Sequence, residues 1–313
     1  MDDLVRLLTL QDSTTRVVMA GTALLAVAAA VVGTLAMLRR RALVGDAVAH
    51  ASLPGICLAW LIAGDRGLAV LLLGAFVLGL ACIGTIALVQ RSSRAREDAT
   101  TAIAIGGFFG LGIVLSRLIQ NQPGGNRAGL DGFLFGKAAS AVAGDAWLVL
   151  AVAVVVVGAV VALRKELALL CFDRAFAGGI GRPVHRFDAL LLVLVALVTV
   201  AGLPSVGVVL MVAMLVIPPA AARFWSESLN TIMVVAAAIG GVSAVLGTGL
   251  SALLPAPGGA AGGWPTGPLI VLTASSAFVF SLLIAPERGL LASIVRRRRL
   301  RNSVHGAGGE VRR

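Results

Sequence analysis

A chain of 313 residues that is 58% hydrophobic and 13% charged, with a mean hydropathy of +0.98, carries too few charged groups to coat a water-facing globule. A soluble catalytic domain is excluded, because about nine apolar runs, each near the ~20 residues that cross a bilayer, take up most of the length. The net charge of +11 does not point to nucleic acid either: there is no tyrosine, and the arginines flank apolar runs instead of interleaving with aromatic side chains.

The fold class expected is all-α, a polytopic transmembrane helical bundle of eight to nine spans. Residues 1–16 form a mixed-charge extracytoplasmic or interfacial segment. The first apolar run, 17–38, exceeds a signal-peptide core and is followed, not preceded, by Arg39, Arg40 and Arg41, so it stays in the membrane. Further spans are expected at 43–63, 67–90, 99–119 and 145–163. The longest internal connection, Arg164–Arg186, contains a short helical pattern suited to a cytoplasmic partner. Runs 188–203 and 205–222 are parted only by Gly202, Leu203, Pro204 and Ser205, which leaves two short helices or a partly re-entrant hairpin. Spans at 230–253 and 268–285 complete a transmembrane domain, 17–285, before a basic, partly disordered tail, 286–313.

Loops near 120–144 and 254–267 are rich in glycine, proline and asparagine and suit surface turns. With the N-terminus outside and the C-terminus in the cytoplasm, 20 of the 26 lysines and arginines fall on the inner side, the bias that positive charge imposes on orientation. The run Arg296–Arg301 then serves as an anchor on anionic lipid. Cys57, Cys82 and Cys171 are widely spaced and form no CxxC, so neither a disulfide framework nor a zinc knuckle is indicated.

Asp46 and His50 are the ionisable side chains of the second span, and their i, i+4 spacing sets a carboxylate and an imidazole on one helix face, one turn apart. Ionisable groups at membrane depth are costly and line pathways or pair with each other. Pro54 cannot donate to the carbonyl of His50, which leaves a free oxygen beside the pair. Such donors suit Mn²⁺, Fe²⁺ or Zn²⁺. A structural reading stands beside this one, in which Asp46 caps the helix near Gly45 or pairs with a nearby arginine. Cys57 shares the face as a soft third donor or as a packing thiol.

Pro218 and Pro219 free the carbonyls of Met214 and Leu215 and mark either a hinge or a helix terminator before Arg223. A GxxxG at Gly106 and Gly110 favours close helix contact, within or between protomers. GLDGFLFGKAAS is not a Walker motif, since Asp131 and Ala138 occupy positions that need glycine and a hydroxyl, so any ATP is hydrolysed by another chain. On these residues alone a proton-coupled secondary transporter using Asp46 and His50 remains an alternative, as does a channel or membrane scaffold.

Five segments in order carry a resemblance: GDAVAHASLPG, EDATTAIAIGGFFGLGIVL, LDGFLFG, FDRAFAGGIG and VGVVLMVAMLVIPPAAARF. Together they resemble the membrane permease of ATP-binding-cassette importers for manganese, zinc or iron. The resemblance implies a type II importer-like permease of the bacterial cytoplasmic membrane, multi-pass and homodimeric. It implies two cytoplasmic ATPase subunits that bind the ATP, an extracytoplasmic metal-binding protein, and no permanently bound cofactor. It places Asp46 and His50 in the translocation path, with each protomer contributing a pair. It also makes Phe172, Asp173, Arg174, Ala175, Phe176 and Ala177 the coupling helix that docks on the ATPase. Arg174 departs from the acidic residue commoner in that family, and the 254–267 loop is short and neutral.

Overall fold

The computed structural model describes residues 13–64, 67–121, 143–254, 264–285 and 289–290, and among them there is no strand. The helices are α1 (Ser13–Leu38), α2 (Val44–Ala63), α3 (Leu68–Ser92), α4 (Glu97–Gln120) and α5 (Ala143–Ala162), followed by α6 (Arg164–Phe172), α7 (Arg174–Gly179), α8 (Val184–Ala222), α9 (Leu229–Leu253) and α10 (Thr266–Ile284). Seven of the described helices are long and apolar enough to cross a membrane, and α5 makes an eighth together with α6, which leaves it at 68°. The 120–144 and 254–267 loops with the GLDGFLFGKAAS segment, the first twelve residues and the Arg296–Arg301 tail lie wholly or mainly outside the described residues.

α1 is the post around which the bundle is built. Its alanines Ala28, Ala29 and Ala30 are fully buried, and their small side chains let neighbouring backbones come close. A Cβ on Gly240 of α9 would meet the Ala26 carbonyl oxygen at 3.1 Å, and Thr22 Oγ1 lies 3.3 Å from Thr248 Oγ1. α1 ends in a left-handed turn at Arg40 (φ 59°), where the Arg41 N–H donates to the Ala36 carbonyl at 2.8 Å and satisfies a terminal acceptor. α2 and α3 cross where Gly55 and Gly74 meet: a Cβ on either would overlap the other's carbonyl group. Buried hydroxyls are satisfied locally, as lipid requires; Thr34, Ser52 and Thr199 donate to the carbonyls four residues back at 2.7–2.8 Å.

α8 is too long for a single pass: 39 residues of straight helix would reach about 58 Å. It does not run straight. Val195 and Leu215, about 30 Å apart on a straight helix, both stand against Gly45, and a Cβ on Gly202 would overlap the Met211 sulfur. The chain therefore reverses between them, at Gly207 (φ 79°, ψ 171°), a backbone conformation that side chains with a Cβ essentially never adopt. The result is a hairpin of two helical arms, 184–206 and 208–222. The break expected at Gly202–Ser205 is displaced: those residues remain helical, Pro204 included, and the reversal falls at the next glycine.

Pro218 and Pro219 are buried and the helix continues past them to Ala222, so they do not stop it abruptly. The carbonyl that Pro219 cannot satisfy belongs to Leu215, and its oxygen sits where a Gly33 Cβ would be. Gly33 thus accommodates the loosened backbone of the second arm. α4, by contrast, leaves Ile103, Leu111, Ile113, Val114 and Leu118 exposed. Gly106, Gly107 and Gly110 have no neighbour within 4 Å of where a Cβ would stand, so among the described residues of one protomer the GxxxG makes no close helix contact.

Candidate functional site

Asp46 lies in the first turn of α2, where the positive end of the helix dipole favours a carboxylate. His50 follows one turn later, with Nε2 3.4 Å from Asp46 Oδ1. The two side chains are 28% and 29% exposed, so both heads keep an open side while the other residues from Val44 to Cys57 are buried. Phe109 of α4 sets the imidazole's orientation, meeting it edge-on with ring centroids 5.0 Å apart and planes at 75°. Three residues further along α4, Gly112 leaves room for Pro54: a Cβ there would meet Pro54 Cδ at 2.9 Å.

The hairpin positions this turn of helix from the other side. Leu215 Cδ1 and Val195 Cγ1, one from each arm, fill the space that a side chain on Gly45 would need. Any shift of the arms is therefore felt directly beside Asp46. Gly45, the first glycine of GDAVAHASLPG, is thus a packing requirement, and the aspartate and histidine that follow keep partly exposed heads.

Cys57 is fully buried in a cluster with Val48, Leu53, Ile56, Leu71 and Ala75. It lies about 10 Å further along the helix axis than His50. Among the described residues no group of three or more His, Cys, Asp or Glu side chains is placed to hold a metal ion. Among the described residues this site thus offers one imidazole and one carboxylate, and a transition-metal ion held there would need further ligands beyond these two.

At the end of the bundle where α1 stops, charges are organised into pairs. Arg41 reaches Glu97 of α4 at 3.1 Å, and Arg39 holds Asp188 at the foot of the hairpin with Nη2 at 2.7 and 3.0 Å from its two oxygens. A cleft of about 640 Å³ opens here between α3, α4 and the hairpin, with Arg40, Arg91, Asp98 and His185 among its lining. Asp46 and His50 do not line it.

α7 stands at the same end. Asp173 caps it, its Oδ1 accepting the Phe176 N–H at 2.8 Å, and Ala177 is buried against the bundle. Phe172 and Phe176, respectively 66% and 56% exposed, project outward. Ala175 is exposed as well. Arg174 turns back toward the bundle, its Nη2 3.3 Å from Asp188 Oδ2. Phe109 and Asp188 are not singled out by the sequence, Phe109 being marked only by its place inside a quoted motif, and Arg39 is marked there only as a charge that ends the first span.

A family model described as the ABC 3 transport family matches residues 11–285. The manganese transport system membrane protein MntC of Bacillus subtilis is 44% identical over 294 residues, covering 94% of this chain; the chain spans 66% of that relative's length. The zinc transport system membrane protein TroC of Treponema pallidum is 38% identical over 92% of this chain and 95% of its own length. Among solved structures, PsaBC from Streptococcus pneumoniae in complex with Fab superposes with a TM-score of 0.78 at 28% identity, covering 92% of this chain and 96% of that one.

Proposed function

Because this chain belongs to the ABC 3 transport family, we propose that it is the membrane permease of an importer that moves a divalent transition metal, manganese, zinc or iron, into the cytoplasm. Energy comes from ATP hydrolysed on separate ATPase subunits, and an extracytoplasmic protein delivers the ion. Relatives named for manganese and zinc transport support this cargo, and the Asp46–His50 pair carries the chemistry. The proton-relay reading of that pair is not favoured, since family membership groups the chain with ATP-driven permeases.

Two half-exposed donors per protomer suit an ion in transit. A carboxylate and a neutral imidazole replace part of a hydration shell without closing a permanent site. Two copies of the chain facing each other would supply a pair each, and the apolar, glycine-bearing outer face of α4 next to His50 suits such an association. The distribution of basic residues supports an N-terminus outside and a C-terminus in the cytoplasm. That orientation sets α7, with its projecting Phe172 and Phe176, on the ATPase side.

The test is metal uptake by cells expressing Asp46→Ala or His50→Ala in place of the parent chain. Each variant is expected to reach the membrane in normal amounts and to lose at least about tenfold in uptake, as a metal-handling ligand does. Unchanged uptake in both would overturn the assignment.

A further inference from the structure

We propose that Arg174 and Asp188 form the joint that passes movement of α7 to the metal-handling turn of α2, an inference that rests on the permease reading above. The carboxylate of Asp188, only 10% exposed, binds two guanidinium groups. Arg39 already grips both oxygens, and its other nitrogen, Nη1, donates to the Leu170 carbonyl of α6 at 3.1 Å. The buried charge is therefore neutralised and oriented without Arg174.

What Arg174 adds is a connection. α7 is six residues long and buries only Ala177, so its hold on the membrane helices is slight. The bridge from Arg174 ties the first residue of α7 to the foot of the hairpin's first arm. Seven residues further along that arm, about 10 Å, Val195 stands against Gly45, the neighbour of Asp46. A helix of packed side chains transmits a displacement as a rigid body and does not absorb it. Push on α7, and the load path runs through Arg174, Asp188, the first arm and Val195 to the turn carrying Asp46. An acidic residue at 174 would face Asp188 with like charge and break this path.

The experiment uses the complete transporter, permease with ATPase subunits and binding protein, in proteoliposomes, with Mn²⁺ and Zn²⁺ supplied in separate runs. Metal taken up per ATP hydrolysed is compared for the parent, Arg174→Ala and Arg174→Lys. Arg174→Ala is expected to keep its ATPase subunits on purification and to lower the ratio about fivefold or more, the lower edge of usual coupling between sites. Arg174→Lys, which keeps the charge, is expected to recover most of that loss. An unchanged ratio in Arg174→Ala overturns the joint, and so does loss of the ATPase subunits, which would make Arg174 a docking residue instead. A parent complex that takes up neither metal, or takes it up equally without ATP, overturns the permease reading itself, and the joint with it.

Discussion

Gly207→Ala tests the hairpin on which the site is built. The residue has φ 79° and ψ 171°, a region that costs a residue with a Cβ about 1–3 kcal/mol. The strain cannot be relieved by moving the reversal along the chain. Val195 and Leu215 are both committed to Gly45, and the Val206 carbonyl lies under Gly267 at the start of α10, where an added Cβ would be 3.2 Å from its oxygen. The substitution is thus expected to lower the free energy of unfolding in mixed detergent micelles by about 1–3 kcal/mol. Gly249→Ala in α9 is the control: its surroundings are open, and alanine in a helix interior is favoured by about 0.5–1 kcal/mol. If Gly207→Ala proves as stable as the parent chain, the strained reversal, and with it the two-armed reading of 184–222, is refuted.

Two further substitutions probe the packing. Arg39→Met strips Asp188 of the nitrogen that bridges its two oxygens and leaves a nearly buried carboxylate with one half-exposed arginine, a loss of about 3–5 kcal/mol in the same assay; adding Asp188→Leu alongside it is expected to recover most of that. Gly33→Ala sets a methyl group on the Leu215 carbonyl, backbone that cannot rotate away, and is expected to cost about 1–3 kcal/mol, whereas Gly110→Ala, which faces open space in the protomer, is expected to leave the isolated chain's stability unharmed.

Most of the helices are legible in the sequence because one strong force sets them. Bilayer-length apolar runs ended by Arg39–Arg41, by the segment Gly64–Gly67 and by Ser93–Arg96 give boundaries within a few residues of α1 to α4, and α9 and α10 follow equally closely. The reversal in α8 was legible only as a choice. The apolar run 188–222 offers weak breaks at Gly202–Ser205 and at Gly207, and the deciding quantity is the φ of one glycine, which depends on what packs around it. The Asp46–His50 pairing follows from helical spacing alone, and the 3.4 Å separation agrees with it. Phe109 beside His50, and Asp188 between Arg39 and Arg174, are contacts between residues 59, 149 and 14 positions apart. No local period encodes such pairs. The glycines of α4 show the reverse case: a motif present in the sequence whose expected contact the protomer does not make.

The 68° bend between α5 and α6 ties the position of α7 to the length of α5. α5, with 20 residues, is about 30 Å long, the thickness of a hydrocarbon core. α6 then turns across the end of the bundle, Leu167 and Leu170 buried and Arg164 and Lys165 exposed, with α7 following from its end. α5 thus acts as a gauge rod and α6 as the foot at its end. On the permease reading proposed above, a bilayer thinner than α5 would tilt the rod and carry α6 and α7 with it, a displacement set by lipid width.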